Sequence, residues 1–471
     1  MPVVDILPDD VLLDIFDFYK DDPSSRISFS WKWKTLTHVC RRWRHIVFAS
    51  PRRLGLRVVC FDTTPVTTLL DIWPSFPISV IHFSHYPHTA LDEKGVENLI
   101  AAVEHRDRTA EIQIFHISVP ALKKLAAAMN GPLPVLTNFF LGSTDEQVPA
   151  LPETFLGGSA PSRLQSFHLS GIPFPSFPKF ILSATHIAHL ALGHIPNSGY
   201  ISPDAMATCL ATLPNLESLL IGFRPPLSGP LQIGFPPLIR AVLPALVRLS
   251  FSGASEYLED LLARTHTPLL KQLIIKFFMG LIFDTPRLHS LIIRGEWLTP
   301  LSPTWVAFDY KQISIILGRP TRIRLTISCE ERHFQLSPLA QVCNQQLPFL
   351  SLVEQLSICE LFQGSFSWND NLNMGSSQWL ELLRPFVAVQ NLYVSKDLVP
   401  FVAASLLELT EERTMEVLPA LKNLFLEGFE PSGSVQEAMK PFVFSRQLSG
   451  YPVVIQSERP LSHPDIHLED G

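Results

Sequence analysis

His82, His85 and His88, in the run HFSHYPH, come nearest to a metal-binding arrangement in type and spacing. A spacing of three would put the imidazoles on one face of a helix, where their nitrogens could share a cation. Pro87 and the strand-like run ISVIHF before it speak against a helix there. No cysteine or carboxylate stands close enough in sequence to complete a tetrahedral set. We read these as loop or edge histidines and expect no metal site. His186 and His189, in HIAHLAL, fit a short strand with one ring at an exposed position. Glu330, Glu331 and His333 follow Cys329 and could form an acid–base group, but they read as a charged turn after a strand. The chain carries no GxSxG, P-loop, GxGxxG or HExxH motif. No catalytic residue and no cofactor is expected, and we expect a protein that is not an enzyme. Groups converging from distant positions would leave no such signature.

The elements that position these residues follow from composition and patterning. The chain has 471 residues, 46% of them hydrophobic and only 17% charged. That is ample for a large core and long for one ordinary compact domain, a limit that an elongated repeat escapes. The 41 prolines against 22 glycines suggest stiff, punctuated turns. A net charge of −7 gives no global field favouring nucleic acid. The six cysteines (Cys40, Cys60, Cys209, Cys329, Cys343 and Cys359) stand among apolar residues with no CxxC pair, so buried, reduced thiols are expected. The start, MPVVDILPDDV, has no basic segment before an apolar core, and prolines or charges interrupt every long apolar run. No membrane association is expected, and the cytoplasm or nucleus is the expected location.

From about residue 78 a short motif recurs: apolar, two variable, apolar, one variable, apolar. It reads Ile78-Ile81-Phe83, Ile112-Phe115-Ile117, Leu136-Phe139-Leu141, Leu164-Phe167-Leu169 and Ile187-Leu190-Leu192. It continues as Leu216-Leu219-Ile221, Leu246-Leu249-Phe251, Leu270-Leu273-Ile275 and Leu288-Leu291-Ile293, with weaker copies at Val353, Val389 and Leu421. Leu325 and Ile327 suggest a further copy. The last two apolar positions alternate as a strand requires. Several copies open alike, as LPNLESL, LPALVRL, TPLLKQL, TPRLHSL and LPALKNL. Helix-compatible segments, such as 119–129, 203–213, 255–264 and 379–386, lie between them. An ordinary α/β domain rich in leucine would give some such copies. Their number and shared proline favour an α/β leucine-rich-repeat solenoid over residues 51–450, in which stacked repeats bury what one repeat cannot. The position where such a repeat carries Asn or Cys holds Ile172, Ala254, Phe278 or Glu296, so an irregular array is expected. Residues 451–471 read as a loose tail.

Residues 1–50 differ. After Leu7 and Pro8, Asp9 and Asp10 suit a first helical turn. Val11, Leu12, Ile15, Phe16 and Tyr19 recur at helical spacing. A second helix is expected from about Trp33 to Phe48, with Leu36, Val39, Cys40, Trp43 and Val47 on one face. The first helix is acidic. Arg41, Arg42, Arg44, Arg52, Arg53 and Arg57 make the later part basic, as a solvated face or as a nuclear-import or nucleic-acid patch.

LPDDVLLDIF followed by HVCRRW resembles the F-box motif, and RHIVFASPRRL with LLDIWPSFPI resembles F-box proteins of mushroom-forming fungi. The resemblance implies docking to a Skp-type adaptor, and through it to a cullin–RING ubiquitin ligase. Leu7, Pro8, Val11, Leu12, Ile15 and Phe16 would pack on the adaptor. Val39, Cys40 and Trp43 match the later helix, which divides between adaptor and internal core. The array would then bind an unknown protein target. Phe362, Phe366, Trp368 and Trp379, in a Gly-, Ser- and Asn-rich stretch, are candidates for target contact. Residues 297–310 are a second candidate. A leucine-rich-repeat interaction scaffold with no part in ubiquitin transfer is the alternative.

Overall fold

The structure, a computed structural model, describes residues 7–20, 32–51, 53–63, 65–73, 75–82, 91–225, 240–278, 285–295, 303–309, 312–318, 321–328, 336–360, 376–409, 413, 415–427 and 434–456. It falls into two compact units, Met1–Ile201 and Ser202–Gly471.

The N-terminal unit begins with helices α1 (Asp9–Lys20), α2 (Lys32–Val39) and α3 (Arg41–Ala49). The single helix expected over 33–48 is thus two. Cys40 breaks it: its backbone is extended (φ −156°, ψ 171°), and its Sγ accepts from the Trp43 amide at 3.4 Å as an N-cap. The helical segment packs onto the chain that follows. Trp33 meets Trp73 and Phe76 with ring centroids 5.1 and 5.8 Å apart, and Phe48 meets the same two rings.

Six parallel strands follow among the described residues: β1 (Val58–Phe61), β2 (Ile78–His82), β3 (Thr109–Ile114), β4 (Asn138–Gly142), β5 (Ser166–Ser170) and β6 (His189–Ile195). Helices α4 (Val66–Ile72), α5 (Glu93–Val103), α6 (Val119–Ala128) and α7 (Phe177–Ile181) lie between them. The register aligns the repeats. Val80, Ile112, Phe139, Phe167 and Leu190 form one buried row, and Ile114, Leu141, Leu169 and Leu192 form the next. The repeat read as Ile112-Phe115-Ile117 is out of phase. Ile112 and Ile114 face the core, and Phe115 stands on the opposite, outward face.

In the C-terminal unit, β7 (Ser218–Phe223), β9 (Arg248–Gly253) and β11 (Gln272–Phe277) pair in parallel, with a small β8–β10 pair (Ala241–Val242, Thr265–His266) beside them. The parallel order is then interrupted. β12 (Thr304–Asp309), β13 (Gln312–Leu317) and β14 (Ile323–Ser328) form an antiparallel meander, with β14 parallel to β11 and β12 parallel to β15 (Gln355–Glu360). Parallel pairing resumes through β16 (Asn391–Val394), β17 (Asn423–Leu426) and β18 (Val454–Gln456). The connecting helices are α8 (Pro203–Leu210), α9 (Ser255–Arg264), α10 (Pro286–Arg294), α11 (Leu336–Gln346), α12 (Ser376–Leu383), α13 (Val399–Leu407) and α14 (Ser434–Leu448).

Three expectations change here. Leu288-Leu291-Ile293 is helical: Leu288 and Ile292, four apart, are buried, while Ile293 is exposed. Pro286, which looked like the proline before a strand, sits in the first helical turn, where its missing N–H costs nothing. Residues 304–309 of the second recognition candidate form a strand, and Trp305 is buried with Ala307, Ile316 and Cys359. The tail expected from Tyr451 contributes a further strand, β18, before the described residues end at Gln456.

The recurring proline has a local cause. The amides of Leu216, Leu246 and Leu421 bond the carbonyls of Leu213, Leu243 and Leu418, at 3.2, 3.4 and 3.0 Å. Pro214, Pro244 and Pro419 therefore stand at the second position of a turn, which their fixed φ favours. Outside the meander, the architecture within each unit is leucine-rich-repeat-like: one strand per repeat, repeats in register, and a helix or turn leading back.

Candidate functional site

The N-terminal helices separate the apolar residues into two sets. Leu12, Leu13 and Phe16 of α1 are buried, and Phe16 packs on the half-buried Trp43 with centroids 4.7 Å apart. Val11, Ile15, Phe18 and Tyr19 are exposed, at spacings that put them on one face of α1. Phe18 is the most open, at 87% exposure, and Val39 at the end of α2 is 56% exposed. Leu7 is half-buried, Pro8 is exposed, and Cys40 is exposed with its thiol serving as the cap. Phe18 was not singled out from sequence, although its place three residues past Ile15 marks the same face.

The opposite charges noted in the sequence hold these helices together. Arg42 donates to Asp9 at 2.7 Å and also reaches the Leu7 carbonyl. Arg53 pairs with Asp14, and Arg44 bonds the Thr37 carbonyl at 2.8 Å. Arg57 pairs with Glu111 at 2.6 Å. Arg42, Arg44, Arg53 and Arg57 thus work within the fold, and Arg52 lies outside the described residues.

A second surface lies on the outward face of the N-terminal strands. Phe115 stacks on Phe140 with centroids 3.8 Å apart, and Phe140 meets His168 at 4.0 Å. Ser170 Oγ lies 3.3 Å from His194 Nδ1. Burial, and secondarily His194, holds the His168 imidazole down to a pKa of about 4, so it is neutral at pH 7. In the C-terminal unit Tyr393 and Phe425 stack in the same way, centroids 4.4 Å apart. The signal for Phe140, His168, Tyr393 and Phe425 was the single variable position between the last two apolar residues of each repeat.

The chemistry-bearing residues are dispersed. His82 takes a core-facing strand position opposite Ile114, with Nδ1 3.3 Å from Asp62 Oδ2. Burial lowers its pKa and Asp62 opposes that shift. His186 and His189 are both exposed. His85, His88, Cys329, Glu330, Glu331 and His333 lie outside the described residues. Among the described residues no three His, Cys, Asp or Glu side chains are placed to hold a metal ion. Cys60, Cys209, Cys343 and Cys359 are buried free thiols, and burial raises the pKa of each.

Of the candidate target contacts, Phe362, Phe366 and Trp368 lie outside the described residues. Trp379 is no contact surface. It is fully buried on α12, its ring 5.5 Å from that of Phe308, because its apolar area is what joins the helix to the sheet. No helix among the described residues is long and apolar enough to cross a membrane.

Comparison with protein-family models and with curated proteins finds no match. Among solved structures, the chain is similar to the leucine-rich repeat-containing protein LegL7 from Legionella pneumophila. That similarity has 10% identity, covers 85% of this chain and 99% of that one, and has a TM-score of 0.28. A likeness at that score carries no argument, and the repeat reading rests on the strand register described above.

Proposed function

We propose that the chain is a non-enzymatic substrate receptor of a cullin–RING ubiquitin ligase. Its N-terminal helices dock to a Skp-type adaptor, and its strand array holds a protein target. The observation that carries this reading is the exposed apolar face of α1, Val11, Ile15, Phe18 and Tyr19, together with Val39. Large apolar side chains grouped on an exposed helix face favour a partner over water. Val11, Ile15 and Val39 fall within the segments that resemble the F-box motif, and Phe18 and Tyr19 continue the same helix face just beyond the first of them. Catalysis in such an assembly is proximity: the receptor raises the local concentration of target lysines at the charged enzyme. The outward aromatic face, with Phe115, Phe140 and His168, is the surface offered to the target. Such a role needs no nucleic acid or membrane, and it belongs to the cytoplasm or nucleus.

The test is co-expression with a Skp-type adaptor, followed by size exclusion. A one-to-one complex is expected from the wild type, and none from Val11→Asp/Ile15→Asp. A soluble, folded chain that forms no complex would sink the proposal. A complex whose loss leaves target turnover unchanged would favour an interaction scaffold.

A further inference from the structure

The C-terminal unit contains a cavity of about 300 Å³ with an unusual lining. Arg240, Arg287 and Arg294 border it, together with His266 and Ser290. Arg287, Ser290 and Arg294 lie three or four apart along α10 and so share one face. His266 comes from β10, and Arg240 immediately precedes β8. No carboxylate appears among the described lining residues.

That lining runs against the pattern of the rest of the chain. The net charge is −7, and several other arginines have a partner within the fold: Arg42 has Asp9, Arg53 has Asp14, Arg57 has Glu111, Arg264 has Asp204 and Asp260, and Arg44 and Arg446 bond backbone carbonyls. Three guanidinium groups around one small cavity repel one another, and folding alone gives no reason to gather them. Thr265 and Thr267 add hydroxyls to the remaining wall, which they share with Leu262, Leu270, Leu291 and Pro268. Guanidinium forks match the geometry of phosphate oxygens, and hydroxyls add donors. The cavity is at the small end of ligand pockets, large enough for one phosphate ester and its first carbons. A nucleic acid would instead call for a basic stripe along a surface.

We infer that this cavity binds a phosphate monoester. The group could come from a phosphorylated side chain of a partner protein or from a free phosphorylated metabolite, and both present the same dianion. This inference does not depend on the adaptor reading.

The experiment is calorimetric titration of the full chain at fixed ionic strength. The probes are inorganic phosphate, phenyl phosphate, a short phosphoserine peptide with its unphosphorylated form, and a single-stranded oligonucleotide. Saturable binding of the phosphorylated probes is expected, and none of the unphosphorylated peptide. Arg287→Ala and Arg294→Ala should each weaken binding by about tenfold or more. Arg294→Lys keeps the charge and loses the fork, so a smaller loss is expected, and it serves if an alanine variant misfolds. Tighter binding of the peptide than of phenyl phosphate would assign the site to a phosphorylated protein; equal binding would assign it to a free ester. Absence of saturable binding, binding indifferent to the arginine variants, or tighter binding of the oligonucleotide would overturn the inference.

Discussion

Phe140 and His168 occupy matching positions on neighbouring strands, with ring centroids 4.0 Å apart. The contact ties the protonation of one outward-facing side chain to the stability of the array. An unfolded histidine takes up its proton near pH 6.5, whereas His168 in the fold does so only near 4. Its contribution to stability is therefore complete above pH 6.5 and is lost as the pH falls toward 4. The loss amounts to about 3 kcal/mol at the lower limit. His168→Phe keeps the ring contact and removes the proton. Urea melts between pH 7 and 4.5 should show a flatter dependence for the variant, and an identical dependence would exclude this cause.

The two sets of residues on α1 should respond in opposite ways. Leu12→Ala and Phe16→Ala empty core positions and should cost about 2–5 and 3–5 kcal/mol. Val11→Asp and Ile15→Asp change exposed positions and should stay within about 0.5 kcal/mol of wild type, yet lose adaptor binding. Denaturant midpoints alongside pulldowns separate the effects. Destabilisation by the exposed changes equal to that of the core changes would contradict the division.

Trp379→Ala is a stability variant. With the indole fully buried against Phe308, about 3–5 kcal/mol should be lost. A chemical melt reads this directly, and an unchanged midpoint would place the ring elsewhere.

Arg446 is fully buried on α14, and its guanidinium donates to the Leu418 carbonyl at 2.5 Å and to those of Val417 and Pro419 at 3.4 Å. Leu418 has a positive φ of 50°, so these bonds hold a turn that its own backbone disfavours. Arg446→Met preserves the stem and strands the carbonyls, at a cost of about 1–3 kcal/mol. Hydrogen exchange should show faster opening of 417–421 in the variant, and protection equal to wild type would count against that role.

The legible parts of the fold were those where one side of a strand alone is buried. Phe139 and Leu141, Phe167 and Leu169, and Leu190 and Leu192 show their phase because the residues between them are less apolar or less buried. Ile112, Ile114, Phe115 and Ile117 are apolar at both parities, so sequence did not fix which pair faces in. The β12–β13 meander was invisible for a related reason. Both of its faces are buried, so QISIIL and TWVAFD show no alternation. On α1, positions 11, 12, 13, 15, 16, 18 and 19 are all apolar, and only packing in the fold, such as that of Phe16 on Trp43, separates core from surface. The arginine-lined cavity was out of reach because Arg240, His266 and the α10 pair Arg287 and Arg294 come from three separate stretches of chain.

The antiparallel meander also sets a parity rule for how this chain can grow or shrink. β14 and β12 run in the same direction as the strands they meet outside the meander, and only β13 is reversed. Removing β12 and β13 together would leave β14 to meet β15 in the common direction. Removing β12 alone would set the reversed β13 against β15, and removing β13 alone would require a crossover between β12 and β14, which then run in the same direction. Lineages of such chains should therefore gain or lose strands here in twos, while elsewhere in the array whole strand-and-helix repeats can come and go singly.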